Sequence, residues 1–155
     1  MKASEIMTKP VVTAGPDMAV GDVAEQLRRR RISAVPVVDD SGAVLGIVSE
    51  HDLLTKPGTT AGEVMSTGVI SVSQDVDVDD VRHLLVDPRI RRVPVLAAQQ
   101  LVGIISRADV VALLSMEWVC QVCGEAVRGG EQPQVCPRCH APGENFHHEE
   151  QPPGD

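Results

Sequence analysis

The sequence predicts an α/β (α+β) fold built from two similar β-α-β-β-α units, followed by a short segment that holds every cysteine of the chain. The main observation is an internal repeat. Ala3-Ser4-Glu5-Ile6-Met7 returns as Ala61-Gly62-Glu63-Val64-Met65, and residues 46–52 return with similar spacing as residues 103–109. Two copies are too few for a solenoid or a propeller, so we expect two similar units packed face to face.

The first half of each unit is predicted to be a strand followed by a helix. Short apolar runs at Val11–Thr13 and Val69–Ser71 predict the strands. Apolar residues then recur at i, i+3, i+4 and i+7 from Val20, and in most of the same positions from Val78. That spacing is typical of an amphipathic helix that packs one face on a core.

The second half of each unit is predicted to be a hairpin followed by a helix. The β-branched runs are residues 34–38 and 44–49 in the first copy, and residues 93–96 and 101–106 in the second. Asp39-Asp40-Ser41-Gly42 is a strong turn signal, whereas Ala97-Ala98-Gln99-Gln100 is a weaker one. Ser49 and Ser106 are placed to cap the helices that follow.

These patterns divide the chain into four segments. We predict one repeat at residues 1–57, a second at 58–115, a ribbon at 116–146 and a disordered acidic tail at 147–155. The only Trp and the only Phe lie in the ribbon, so the repeats must build their cores from aliphatic side chains. About 115 residues suffice for such a core.

Composition excludes several classes of partner. The formal net charge is -8 at pH 7, so neither part has the basic surface that general nucleic-acid binding needs. No apolar run approaches the ~20 residues of a membrane span, and the first residues lead into no signal-peptide stretch. We expect a cytoplasmic protein that contacts neither membrane nor nucleic acid.

The four cysteines form two Cys-x-x-Cys pairs, Cys120 with Cys123 and Cys136 with Cys139. Two such pairs can close a tetrahedral site of four thiolates around one ion, and both Zn and Fe fit that site. The alternative is a pair of disulfides or free thiols, which a reducing cytoplasm disfavours. The ribbon is too poor in apolar residues to fold by itself, so the metal should supply much of its folding free energy.

The repeated motifs carry a family resemblance. Met-Thr/Ser near the start, Val-Pro-Val in a strand and Gly-Ile-[Val/Ile]-Ser-x-x-Asp before a helix all occur twice within residues 3–114. This arrangement resembles a tandem pair of CBS domains, called a Bateman module. The resemblance implies a pseudo-two-fold pair that often forms a homodimer. It also implies a regulatory role, in which an adenosine-containing ligand binds between the repeats and its occupancy is passed to a protein partner.

Residues 117–146 resemble the rubredoxin-like ribbon at the end of rubrerythrins. The similarity lies in Trp-Val-Cys-x-x-Cys-Gly, Cys-Pro-x-Cys and the later Phe146. His140 departs from the pattern, which favours Gly at that position. We expect His140 either to weaken a hydrogen bond of its Cys-x-x-Cys turn or to strain the turn, because Gly adopts positive φ without cost.

The resemblance also implies two ligand clefts, each joining one repeat to the Ser-x-x-Asp of the other. One cleft would set Thr8, Val12, Ile32 and Ser33 opposite Ser106 and Asp109, and the other would set Ser66 and Ile70 opposite Ser49 and Asp52. The aspartates could accept hydrogen bonds from ribose hydroxyls, and the serines with the following helix N-termini could meet a phosphate.

Basic residues favour the cleft of Asp109. Arg91, Arg92 and Arg107 occur only in the second copy, and guanidinium groups make bidentate contacts with phosphate. Glu50 replaces Arg107 in the first copy and would repel the same phosphate. The alternative at both sites is that Ser-x-x-Asp only caps a helix, worth roughly 1 kcal/mol.

The function predicted from these residues is regulatory. The repeats would sense an adenine nucleotide such as AMP, ADP or ATP, while the ribbon would provide structure or a docking surface. The alternative is a nucleotide-gated electron-transfer protein with a rubredoxin-like iron site. We expect no enzyme activity, since the chain lacks a phosphate-binding glycine loop, and a site closed by four thiolates leaves no position for activating water.

Overall fold

Two compact units make up the chain in the computed structural model, which describes residues 1–149. Lys2–Ser106 forms the repeat unit, and the residues from Arg107 onward, together with Met1, form the ribbon unit. The contacts therefore group the last helix of the second repeat with the ribbon, whereas the sequence predicts a boundary at residue 116. The predicted domain bounds remain predictions.

The repeat unit contains the two predicted copies in order. The first comprises α1 (Ala3–Ile6), α2 (Val20–Arg30), β1 (Ala34–Val38), β2 (Val44–Ser49) and α3 (Glu50–Thr55). The second comprises α4 (Ala61–Val64), β3 (Val72–Ser73), α5 (Val78–Val86), β4 (Arg92–Ala97) and β5 (Gln100–Ser106), and continues into α6 (Arg107–Ala112). β1 pairs antiparallel with β2 and β4 with β5, while β3 joins β4 in parallel, so both predicted hairpins and the long helices are confirmed.

The turn chemistry explains the two hairpins. In the first, the Asp39 carboxylate accepts hydrogen bonds from the Ser41 and Ala43 amides at 2.9 and 3.0 Å, as a strong turn residue should. In the second, Ala98 and Gln99 have φ of 49° and 67°. Two positive φ values are typical of a two-residue hairpin loop, although Asn, Asp and Gly are the residues that favour this geometry.

The first predicted strand of each copy is corrected. In the second copy the strand is β3, which begins just after the predicted Val69–Ser71. In the first copy Ala14 alone bridges Val37, and the preceding apolar run does not pair. The apolar side chains serve packing instead, since Val12 packs against the buried core, and periodicity alone cannot separate packing from pairing.

The short helices α1 and α4, which the sequence did not predict, are exchanged between the repeats. In the first repeat's α1 segment, the Ala3 amide donates to Val76 O at 2.8 Å, and the Thr8 amide donates to Ile104 O at 2.9 Å. Both acceptors belong to the second repeat. The opening segment of the first repeat is therefore held by its sister.

The α4 segment makes the reciprocal contacts. The Ala61 amide donates to Met18 O at 2.8 Å, and the Ser66 amide donates to Ile47 O at 2.8 Å. Ala61 and Val64 are buried in the same core as side chains of α2, β1 and β2. The two repeats are thus interlocked, and neither copy completes its core alone.

The ribbon unit is a small antiparallel sheet. Its strands are β6 (Glu117–Cys120), β7 (Ala126–Arg128) and β8 (Phe146–Glu149), with short 3-10 turns at Leu113–Ser115 and Gly143–Asn145. β6 lies in the middle and pairs with both neighbours. Among residues 1–149, no helix has the length and apolar character needed to cross a bilayer.

The predicted start of the disordered tail is wrong. His147 and His148 lie in β8, where they pair with Val119 and Trp118 of β6. Residues 146–149 give no strand signal in the sequence, because this strand is short and polar and its partner strand lies far away in the chain. The rest of the predicted tail, residues 150–155, lies outside the described residues.

Candidate functional site

The first Ser-x-x-Asp motif forms a capped helix start. Ser49 precedes α3, and its Oγ accepts from the Asp52 amide at 3.2 Å. In return, Asp52 Oδ2 accepts from the Ser49 amide and from Ser49 Oγ, both at 2.9 Å. These reciprocal bonds form a capping box, so the first Ser-x-x-Asp motif does cap its helix, as the alternative to ligand binding predicts.

The other oxygen of Asp52 is engaged as well. Asp52 Oδ1 lies 2.9 Å from Lys56 Nζ and accepts from Ser66 Oγ at 2.9 Å, and Lys56 also donates to Ser66 Oγ at 2.9 Å. The Asp52 side chain is only 5% exposed, against 39% for Lys56. Burial raises the pKa of Asp52, but hydrogen bonds from Lys56, the Ser49 amide and Ser66 outweigh burial and hold the pKa below its ordinary value.

The structure therefore brings three predicted site residues together, namely Ser49, Asp52 and Ser66. Ile70, predicted beside Ser66, is 45% exposed. Lys56, which lies four residues after Asp52, was not among the predicted site residues. The signal was available, because oppositely charged residues at i and i+4 lie on the same face of a helix.

A second pair of predicted residues meets across the two repeats. Arg92 Nη2 donates to Ser33 Oγ, and the Glu50 amide donates to Ser33 O at 3.0 Å. Burial and the neighbouring charge of Arg91 lower the pKa of Arg92, while Glu50 acts in the opposite direction. A bound anion would relieve the repulsion between the two guanidinium groups.

The remaining predicted cleft residues lie in both units. Val12 and Ile32 pack against the core of the repeat unit, with parts of their side chains accessible. Thr8 pairs through its backbone with Ile104 of β5.

Ser106 ends β5, whereas exposed Arg107 and half-buried Asp109 lie in the first turn of α6. Since α6 belongs to the ribbon unit, the predicted grouping of Asp109 with Thr8, Val12, Ile32 and Ser33 stays a prediction.

The four cysteines form one cluster with the dimensions of a metal site. Their sulfur atoms all lie within 4.8 Å of one another, with Cys120 Sγ 3.7 Å from Cys139 Sγ and Cys123 Sγ 3.6 Å from Cys136 Sγ. Metal–sulfur bonds of about 2.3 Å in a tetrahedron place the sulfurs about 3.8 Å apart. No disulfide joins any of the four cysteines, and the cluster has the dimensions to hold one ion with four thiolates.

Protonation of the cluster is uneven. The Glu125 amide lowers the pKa of Cys123, but burial and the hydrogen bonds of the other three sulfurs raise it to about 12. The amide of Cys139 leads the contributions that lower the pKa of Cys136 to about 7. Full ionisation of four adjacent thiols therefore requires a cation among them.

The two Cys-x-x-Cys turns are built alike. The Gly124 amide donates to Cys120 O at 2.8 Å, and the His140 amide donates to Cys136 O at 3.0 Å. Gly124 has φ of 77°, and His140 has φ of 62°. The His140 amide thus keeps its hydrogen bond to Cys136 O, and the positive φ of His140 strains the turn, which is the second of the two expectations.

We expect His140→Gly to stabilise the metal-loaded ribbon by about 1 kcal/mol, since a left-handed conformation costs a non-glycine residue about that much. Fluorescence of Trp118, the only tryptophan, during urea unfolding measures the effect on the ribbon alone. Gly124→Ala is the matched control and should destabilise by a similar amount, because a Cβ there meets no atom within 4 Å and only backbone strain acts. Equal shifts of the same sign in both variants would contradict this explanation.

The ribbon core lies directly beneath the cluster. Cys120, Cys136 and Phe146 are its buried residues, and Trp118 packs against them. Trp118 Nε1 donates to Gly129 O at 2.9 Å, and its ring meets the His148 ring at a centroid distance of 5.4 Å. Two of the three buried residues of this core, Cys120 and Cys136, are therefore members of the cysteine cluster.

Comparison with known families agrees with both parts of the chain. Residues 3–57 and 61–116 each match the CBS domain model, and residues 118–147 match the model for the rubrerythrin, rubredoxin-like domain. Inosine-5'-monophosphate dehydrogenase of Methanocaldococcus jannaschii is 30% identical over 113 residues, which cover 71% of this chain. The chain spans 23% of the length of that enzyme.

Solved structures show the same architecture. CBSX2 in complex with AMP has a TM-score of 0.68 at 28% identity, covering 72% of this chain and 93% of that one. The CBS domain pair of MJ0100, in complex with 5'-methylthioadenosine and S-adenosyl-L-methionine, has a TM-score of 0.67 at 29% identity, covering 73% and 94%. The chain belongs to the CBS domain family, as a tandem pair followed by a rubredoxin-like segment.

Proposed function

We propose that the chain is a regulatory module whose CBS pair binds an adenosine-containing ligand and which has no catalytic activity of its own. The observation that supports this most directly is the similarity of its repeat pair to structures that hold AMP, 5'-methylthioadenosine and S-adenosyl-L-methionine. The duplicated Ser-x-x-Asp motif supplies the acceptors that ribose hydroxyls require.

The proposed ligand site is the cleft of Asp109, with Ser106 and Arg107 from its own motif. Arg92 is the proposed phosphate contact, together with the adjacent Arg91. The hydrogen bond between Arg92 and Ser33 supports this assignment, because it joins predicted site residues from both repeats. The positive charges of Arg91 and Arg92 repel each other, and the negative charge of a bound phosphate would offset that repulsion.

We expect an adenosine ligand to raise the unfolding temperature of the wild type and not that of Asp109→Ala. A ligand at 100 times its Kd stabilises the folded state by about 2.7 kcal/mol, which a thermal-shift assay detects. The panel is AMP, ADP, ATP, NAD and S-adenosylmethionine, and each shift is measured against the same variant without ligand.

Asp17→Ala is the matched control, because Asp17 is an exposed aspartate outside the motifs. It should keep the full ligand shift. Equal shifts in the wild type, Asp109→Ala and Asp52→Ala would place the site elsewhere. No shift with any compound on the panel would overturn the proposed function.

The ribbon is proposed as a metal-stabilised structural element or a docking surface for a protein partner, and the whole chain as a cytoplasmic homodimer. Electron transfer is the second candidate, favoured by one observation: Cys123 and Cys139 are partly accessible, whereas Cys120 and Cys136 are buried. Zinc has no redox chemistry, so this role requires iron. Metal analysis of the purified chain, with a visible spectrum before and after reduction, separates the two roles.

A further inference from the structure

A polar cluster lies where the two repeats meet, and both repeats contribute to it. Its members, which we call the Ser33 cluster, are Ser33 and Glu50 of the first repeat and Arg91 and Arg92 of the second. Arg92 Nη2 donates to Ser33 Oγ, and the Glu50 amide donates to Ser33 O at 3.0 Å. Arg92 is half-buried and the other three residues are exposed, so a ligand in solution can reach the cluster.

The strand register places this cluster beside the second Ser-x-x-Asp motif. Arg92 begins β4 and is paired in register with Ser106, the last residue of β5 and the first residue of that motif. Residues directly opposite each other in an antiparallel pair have their side chains on the same face, with Cβ atoms about 5 Å apart. Arg92 therefore links the proposed ligand site to Ser33 and Glu50 of the sister repeat.

The charges in the Ser33 cluster are of both signs. Arg91 and Arg92 carry two positive charges, and Glu50 carries one negative charge. Burial and the charge of Arg91 lower the pKa of Arg92, whereas the charge of Glu50 raises it, so both neighbours act on this guanidinium. A phosphate monoester carries about −1.5 to −2 charges at pH 7, so the arginines attract it and Glu50 repels it. Adenosine has no phosphate and is subject to neither force.

We propose that the Ser33 cluster selects adenosine ligands by charge, favouring those that carry a phosphate, and that Glu50 limits the strength of this preference. The inference rests on the proposed function and adds a charge class to its ligand. Glu50 is thus a specificity-determining residue, although its own amide is committed to Ser33 O. Neutralising its carboxylate leaves the two arginine charges unopposed and should sharpen the selection.

Isothermal titration of the full chain with AMP and with adenosine tests the proposal, because the two compounds differ only in the phosphate. The readout is the Kd of adenosine divided by the Kd of AMP, which should exceed one for the wild type. Glu50→Gln should raise this ratio about three- to fivefold through tighter AMP binding, since Glu50 is exposed and its charge is partly screened. Arg92→Gln should lower the ratio about tenfold, through the loss of a charge-assisted hydrogen bond.

Two controls separate charge from structure. Glu50→Asp keeps the carboxylate and should keep the wild-type ratio. Asp17→Asn removes the same charge from an exposed position outside the cluster and should also keep it. Raising the ionic strength from about 0.01 M to about 1 M shortens the Debye length roughly tenfold, so the ratios of the wild type and Glu50→Gln should converge. Arg91→Gln, at an exposed position, replaces Arg92→Gln if that chain does not fold.

The outcomes separate this inference from the proposed function. Equal affinities of the wild type for AMP and adenosine would overturn selection by charge, and an unchanged ratio in Glu50→Gln would overturn the role of Glu50. Weaker binding of both compounds to Glu50→Gln, by the same factor, would show a structural role instead. Each of these results leaves the proposed function standing, as does a wild type that binds another compound of the thermal-shift panel but not AMP. Failure of every compound to bind would overturn both proposals.

Discussion

Replacing Cys136 by Ser should unfold the ribbon and leave the repeat unit folded. Cys136 is fully buried, and its sulfur lies 3.6 Å from that of Cys123. A serine hydroxyl is not ionised at neutral pH and is a poor ligand for a thiolate-type site. Structural zinc sites contribute about 10–16 kcal/mol of apparent free energy in small domains, more than a ribbon with this small core can replace.

The chain contains a natural reporter for this experiment. Trp118 is the only tryptophan and the chain has no tyrosine. The Trp118 side chain packs against the core that contains Cys120 and Cys136. Its emission should move to longer wavelength in Cys136→Ser, together with loss of bound metal. The far-UV circular dichroism, which α2 and α5 dominate, should change little because the repeat unit has its own aliphatic core. Adding a strong chelator to the wild type should reproduce both effects.

Val122→Ser controls for placing a hydroxyl in a Cys-x-x-Cys turn. Val122 lies between two ligands, but its side chain is 62% exposed and makes no part of the core. This variant should keep its metal and its tryptophan emission. A Cys136→Ser chain with wild-type emission and a full complement of metal would show that the ribbon does not depend on the four-thiolate site.

The features that sequence analysis predicted correctly have local signals. The hairpin β1–β2 follows from alternating β-branched residues and from the Asp39 turn, and α2 follows from its apolar stripe. The cysteine cluster follows from the short spacing within each pair, which the coordination geometry of a metal requires. In each case the residues that determine the structure are close together in the chain.

The features that the sequence did not predict depend on residues that are far apart in the chain. α1 and α4 are four residues long, too short to show a helical period or to be stable alone, and their hydrogen bonds reach the sister repeat. The contacts of Asp52 with Lys56 and Ser66 likewise depend on the sister repeat, because Ser66 comes from it and donates to Asp52. Motif spacing identified the aspartate but could not show that its oxygens are already in use.

Gly46→Ala should destabilise the repeat unit by about 3 kcal/mol, through overpacking where the two repeats interlock. A Cβ at Gly46 would lie 2.7 Å from Ser66 O and 2.8 Å from Met65 Sδ. The methionine could move, but Ser66 O accepts the Ile47 amide at 3.0 Å and is fixed by that bond. Relief therefore requires breaking the bridge between the α4 segment and β2.

The sign of the change in the free energy of unfolding distinguishes a steric conflict between the two repeats from the usual effect of Gly→Ala in a strand. In a strand without steric conflict, Gly→Ala stabilises, because alanine loses less conformational freedom on folding. Gly103→Ala should also destabilise, because a Cβ there would overlap the Met7 side chain, including Met7 Cβ at 2.8 Å, which moves only with the backbone. Urea unfolding followed by far-UV circular dichroism measures both variants without interference from the ribbon's tryptophan.

Gly21→Ala is the control within the same unit. Gly21 is the second residue of α2, and a Cβ there meets no atom within 4 Å, so helix propensity should stabilise by at most about 1 kcal/mol. If Gly46→Ala proved as stable as Gly21→Ala, the α4 segment would not be held against β2 as the structure shows. The exchanged helices would then be peripheral, and each repeat would have to complete its core in some other way.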